Sequence, residues 1–255
     1  MPTELTLDEH LAALRQSGAA LRDAAASAGL AAQVPTCPGW NVADLVTHQG
    51  MVHRWAAATL RLESDHQTTD SVAAAAAAPD LLEWYSAGLD ALIATVTAAA
   101  PDVQVMVFLN DAPAPRQFWA RRQAHETTIH GVDAISARLG RWPGAEDVTI
   151  DPALAADGID ELLTGFVTRG KGRLHAAEPC TLLVRIADTG QAWTLRISEG
   201  PLVTTPGATD APDAVFTGSA VQLYLSLWNR AYEIRVTGRP DLVEQWRSAI
   251  RVRWS

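Results

Sequence analysis

The sequence predicts an α+β protein: an N-terminal up-down bundle of four helices followed by a smaller C-terminal α+β domain. Apolar residues recur at helical spacing up to Gly140. After Gly140-Arg141-Trp142-Pro143-Gly144 the pattern changes to short strand-like runs mixed with short helical ones. No repeat relates the halves, so the expected domains are residues 1–143 and 150–255.

Each element has a local reason. Residues 5–30 carry Leu11, Leu14 and Leu21 among alanines, with Asp8 near the start. The second helix follows Pro38-Gly39-Trp40, with Asn41 as N-cap and Asp44 three residues on, and continues through His48, Met51, Val52 and Trp55. A third opens at Pro79-Asp80, where Pro suits a first turn, and carries Leu81, Leu82, Trp84, Leu89, Leu92 and Val96. The alanine run at 73–78 reads either as a flexible connector or as part of that third helix. The fourth runs from about Arg116 to Leu139, with Gly140 as its C-cap. In the second domain, 152–169 reads as a helix, and 181–186 and 192–197 read as strands joined at Asp188-Thr189-Gly190-Gln191. Residues 214–217 and 233–237 are strand-like, while 219–228 and 240–250 are helical.

Composition narrows the function. The chain has 255 residues, 48% hydrophobic and 19% charged, which is ordinary for a soluble globular protein. Its net charge of -9, from 29 acidic and 20 basic residues, argues against nucleic acid as the main partner. No apolar run reaches the roughly 18–20 residues that span a bilayer. Met1-Pro2-Thr3-Glu4-Leu5 has neither a basic n-region nor an apolar h-region, so export is not expected. Cys37 and Cys180 lie far apart and read as free thiols of a reducing cytosol. The expectation is a soluble cytoplasmic protein.

Glu126 and His130 are four apart in the fourth helix, which stacks a carboxylate and an imidazole on one face. Joined by His48 from the second helix, they would bind a divalent metal and leave a coordination position open for chemistry. The plain alternative is a helix-surface pair worth a few tenths of a kcal/mol, with His48 a hydrogen-bonded core residue. His48 and His53 compete for the third place, since five residues apart they cannot face the same point. His125 and His130 are also five apart, so the pattern is not the His-Glu-x-x-His of metalloproteases. His125 reads as a supporting or surface group, and His10, His66 and His175 as surface groups. Cys37, just ahead of the His48 helix, is either a reactive thiol or a buried inert one. The nine tryptophans are expected in the core and in pocket walls.

The chain as a whole resembles the mycothiol-dependent maleylpyruvate isomerase family. The resemblance is carried by Val34-Pro35-Thr36-Cys37-Pro38-Gly39-Trp40-Asn41-Val42 with Asp44-Leu45-Val46-Thr47-His48, and by Ala124-His125-Glu126-Thr127-Thr128-Ile129-His130. In the second half it rests on Ala156-Asp157-Gly158-Ile159-Asp160-Glu161-Leu162-Leu163, Ala187-Asp188-Thr189-Gly190 and Leu223-Tyr224-Leu225-Ser226-Leu227-Trp228-Asn229-Arg230. It implies a DinB-like metal-binding four-helix bundle with a sterol-carrier-like α+β domain. It also implies His48, Glu126 and His130 as metal ligands, with zinc the expected ion and mycothiol the thiol cofactor. The implied chemistry is addition of a metal-activated thiolate to an electrophilic small molecule. Addition to the maleylpyruvate double bond, rotation and elimination give cis–trans isomerisation; related bundle enzymes transfer the thiol. A dicarboxylate-like substrate would need a cation, for which Arg230 in the second domain is the candidate, its plain alternative being a surface or interdomain salt bridge. The alternatives of a different class are a non-catalytic metal- or ligand-binding module and a thiol-independent metallohydrolase. One departure stands out: many members carry a bulky or basic pair before Asp-Ala, where this chain has Gly131-Val132-Asp133-Ala134. One turn from the metal, that change is expected to reshape the pocket.

Overall fold

The computed structural model describes residues 4–169 and 174–250. Helix α1 (Leu7–Ala28) opens on a capping box in which the Thr6 hydroxyl accepts from the Glu9 amide and the Glu9 carboxylate accepts from the Thr6 amide. Helix α2 (Val42–Leu60) repeats the device with Asn41 and Asp44, as the sequence predicts.

The alanine run adopts neither of its expected states. It forms most of a separate helix, α3 (Thr68–Ala77), which stops at an extended Ala78. Alanine has the highest helix propensity, so the run folds even though only Ser71 and Ala75 are buried. Asp80 then caps α4 (Leu81–Ala98) by accepting from the Leu82 and Glu83 amides. Pro79 therefore precedes the cap and is not in the first turn. Helix α5 (Pro115–Leu139) ends at Gly140, whose φ of 66° is left-handed and free of Cβ strain in glycine.

α1 lies along α5 and α2 along α4, while α2–α5 and α1–α4 contacts close the ring. α1 and α2 are thus diagonal partners, as are α4 and α5, which the long connections 29–41 and 99–114 permit. α2 and α4 interlock closely. Arg54 stacks on the Trp84 ring at 3.7 Å and donates to the carbonyls of Gly50 and Trp84. Every residue of α5 from Phe118 to Ala134 is buried, polar ones included.

The chain divides into two compact units, one comprising Leu5–Val107 and Pro113–Pro143, the other including Phe108–Ala112 and the chain from Gly144 on. In the second, α6 (Pro152–Asp160) runs into a π-helical turn, Glu161–Phe166, and a 3-10 turn, Val167–Arg169, where the sequence predicts one continuous helix. Gly165 lets Leu109 approach the backbone at this irregularity. The sheet has the order β3-β2-β1-β4-β5. β1 (Cys180–Ile186) pairs antiparallel with β2 (Ala192–Ile197) across the predicted turn, with Leu183 opposite Thr194. β2 pairs antiparallel with β3 (Val203–Pro206), and β1 pairs parallel with β4 (Ala214–Gly218), with Val184 opposite Phe216. β5 (Arg235–Gly238) closes the edge antiparallel to β4. Ser219 caps α7 (Ala220–Leu227), and α8 (Asp241–Ala249) follows β5. Trp193 on β2 donates from Nε1 to the buried Asp160 carboxylate at 2.9 Å, tying sheet to helix. No described helix is long and apolar enough to cross a membrane.

Candidate metal centre

The helical unit brings His48, Glu126 and His130 together, with one ligand atom of each within 4.8 Å of the others. Glu126 and His130 meet because they stand one turn apart on α5, Nε2 of His130 lying 3.3 Å from Glu126 Oε1. His48 reaches the same oxygen from α2, with Nε2 at 3.8 Å. His53 does not join them. It faces the core one turn on, where its Nε2 lies 2.9 Å from both Gln49 Nε2 and Thr127 Oγ1. Of the two histidines of α2, His48 is the one that lies beside the Glu126–His130 pair.

Two observations test whether this cluster fits a cation. His48 Nε2 and Glu126 Oε1 are both buried without a hydrogen-bond partner, an expensive state for polar atoms. The donors are also of the right kind, two imidazole nitrogens and a carboxylate oxygen. His48, Glu126 and His130 therefore form a set that could hold a divalent ion.

Electrostatics give each of the three side chains a distinct state. Burial lowers the pKa of His48 and favours the neutral form that ligates. Burial alone would raise the pKa of Glu126, but the close approach of His130 and His48 and the charge of Arg122 hold it well below the usual carboxylate range. The Arg122 guanidinium donates to Oε2 at 3.0 Å, so Oε1 faces the histidines. Burial also works against a charged His130, yet its hydrogen bond to Asp133 and the adjacent Glu126 carboxylate raise its pKa to about 9 in the metal-free protein. The Trp40 ring lies beside both imidazoles, with centroids 5.1 Å from His48 and 6.2 Å from His130.

Several neighbours of the cluster escape the sequence reading, although two had a signal. Arg122 precedes Glu126 by four residues and Asp133 follows His130 by three, both spacings that bring side chains together on one helix. Trp40 and Thr36 come from the connection before α2, and no local pattern ties them to α5.

The histidines read as surface groups fare unevenly. His175 is exposed and His66 half-buried. His10 and His125 are fully buried, which corrects the surface reading of His10 and removes the surface alternative for His125. His10 Nδ1 meets Gln117 Nε2 at 3.0 Å, and the His10 and His125 rings lie edge to face at 6.2 Å. The reason is that α5 is buried all round, leaving it no polar face over these turns. Neither Cys37 nor Cys180 is in a disulfide; Cys37 is half-buried and Cys180 buried. Gly131 does not shape the ligand cluster: a Cβ there would point to Ser17 O at 3.5 Å and to Leu21, on α1. Arg230 lies in the other unit, just after α7, where Nη1 donates to the Trp228 carbonyl at 2.9 Å.

Two family models match the chain: the mycothiol maleylpyruvate isomerase N-terminal domain over residues 11–135 and the MDMPI C-terminal domain over residues 153–245. No protein of curated function matches it at a significant level. A crystal structure of the mycothiol-dependent maleylpyruvate isomerase is similar at 15% identity, covering 93% of this chain and 96% of that one, with a TM-score of 0.63. A histidine-to-alanine mutant of the mycothiol-dependent maleylpyruvate isomerase is similar at 14% identity, with the same coverages and a TM-score of 0.65. At such identities these likenesses show a shared fold. The two models together span both halves of the chain, and the protein belongs to the mycothiol-dependent maleylpyruvate isomerase family.

Proposed function

We propose that this protein is a zinc-dependent enzyme that uses mycothiol to attack an electrophilic small molecule, ending in cis–trans isomerisation or in S-transfer. The observation that carries the reading is the pair of buried, unpartnered ligand atoms, His48 Nε2 and Glu126 Oε1, beside His130 in a chain of this family. His48, Glu126 and His130 are the proposed ligands. A divalent cation held there would deprotonate a thiol whose pKa is otherwise near 8.5.

The chain's own groups then have definite tasks. His48 enters as a neutral imidazole because burial disfavours its charge. Glu126 supplies the one negative ligand and keeps it ionised through Arg122. His130 must give up its proton to ligate. Trp40 shields the two imidazoles on one side. Arg230 is the proposed cation for a substrate carboxylate, supported by its place in the block at 223–230 that resembles the family.

The test is metal analysis of protein expressed with zinc, together with a thiol-dependence assay over a panel of electrophiles. The expected result is one zinc per chain, lost in His48→Ala, and turnover only with added thiol. Zinc well below one per chain with no effect of His48→Ala would overturn the site. Turnover without thiol would point to a metallohydrolase, and binding without turnover to a non-catalytic module.

A further inference from the structure

The connection before α2 reaches the proposed metal ligands through a buried carboxylate. Residues 34–40 form a tight loop: the Val34 amide donates to the Trp40 carbonyl, the Cys37 amide to Val34, and the Trp40 amide to Cys37. Gly39 makes the reversal at φ 92°, a conformation that strains any residue with a Cβ. The loop aims two donors at Asp133 on α5. Thr36 Oγ1 donates to Oδ1 at 2.6 Å, and the Cys37 thiol donates to Oδ2 at 3.2 Å. The same Oδ2 lies 2.9 Å from His130 Nδ1, and Thr36 Oγ1 also lies 2.9 Å from Ser136 Oγ. Asp133 is fully buried.

A carboxylate only accepts, so Nδ1 of His130 must carry the hydrogen in this contact, and the proton given up on ligation is that of Nε2, whose lone pair then lies on the side of Glu126 and His48. We infer that Asp133 is the positioning residue of His130 and that Thr36 and Cys37 position Asp133 in turn, so that the loop at 34–40 fixes which nitrogen His130 presents to the metal. Cys37 thereby acts as a hydrogen-bond donor, not as a nucleophile or a ligand. A partner of this kind commonly contributes tenfold or more to metal affinity by fixing the ring and its tautomer. The inference rests on His130 being a ligand, as proposed above.

The experiment measures zinc affinity by chelator competition, and the metallated nitrogen of His130 by 15N NMR of the zinc-loaded protein. The wild type should show zinc on Nε2 and a hydrogen-bonded Nδ1–H. Asp133→Ala should weaken zinc binding by about 10- to 100-fold and lose the Nδ1–H signal. Asp133→Asn, which keeps the shape, should weaken it less and serves if the alanine variant does not fold. Cys37→Ala should weaken binding a few-fold, and Cys37→Ser, which keeps a donor, should restore it. Zinc on Nδ1 of His130, or wild-type affinity in both Asp133 variants, overturns the inference while leaving the metal site standing. Equal affinity in Cys37→Ala and wild type overturns the role of Cys37. A wild type that binds no zinc overturns the metal site, and this inference with it.

Discussion

His48 Nε2 and Glu126 Oε1 face each other at 3.8 Å across α2 and α5, both buried and neither hydrogen-bonded. An unsatisfied buried polar group costs about 1–3 kcal/mol, so a bound cation should stabilise the fold as well as serve the chemistry. Zinc is expected to raise the melting temperature of chelator-treated wild-type protein and to leave His48→Ala and Glu126→Ala nearly unmoved. An equal rise in all three would place the ion elsewhere.

Metal uptake should depend on pH through His130. Burial lowers its pKa, but the hydrogen bond to Asp133 and the charge of Glu126 prevail and bring it to about 9, above its ordinary 6.5. In the metal-free protein the stabilisation tied to this proton is fully present below pH 6.5 and is lost as pH rises through about 9. Zinc must displace the proton, so its apparent affinity should climb by about tenfold per pH unit towards that value and then level off. Titration calorimetry in buffers of different ionisation enthalpy would report the released proton. An affinity constant across this range would contradict the assignment.

His53 carries the opposite sign. Burial, aided by the Arg54 charge, holds its pKa down to about 3, so the folded protein keeps it neutral. Below pH 6.5 the unfolded chain takes up the proton first, and stability falls towards pH 3 by about 1.4 kcal/mol per pH unit for this one group. His53→Gln should flatten that part of the acid limb in urea melts at several pH values. An unchanged slope would show that His53 does not drive it.

Helix α2 passes close to α4 at two glycines. A Cβ on Gly50 would collide with the Trp84 ring, whereas one on Gly88 would meet the end of the Arg54 side chain. The indole is a rigid ring, whereas the guanidinium ends a long side chain that can shift at the cost of its stacking and its two hydrogen bonds. Gly50→Ala should therefore cost about 1–3 kcal/mol, and Gly88→Ala less. Equal denaturation midpoints would refute the ordering.

Arg230→Gln should raise KM for carboxylate-bearing electrophiles and leave both zinc content and turnover of uncharged electrophiles unchanged. A fall in kcat on every substrate would point to a structural role for Arg230.

The caps were legible because capping chemistry is local. Asn41 with Asp44 and the left-handed Gly140 mark helix ends within a few residues of chain. The hairpin of β1 and β2 was readable for the same reason, with Gly190 at φ 74° in its turn. β3 was missed because Val203-Thr204-Thr205-Pro206 is too short to show alternation, and only pairing with β2 makes it a strand. The end of α6 was missed because the π-helical turn coincides with the close approach of Leu109 to Gly165, distant in sequence.

The sequence by itself determined the class of fold, most helix ends and the stacking of Glu126 over His130, since all of these depend on neighbours within one element. Only the tertiary structure set His48, and not His53, beside Glu126, buried His10 and His125, and set Thr36 and Cys37 against Asp133. Each of these depends on which face of one helix meets another segment up to about a hundred residues away. Spacing along the chain fixes what shares a face, but only packing between distant elements fixes what that face meets.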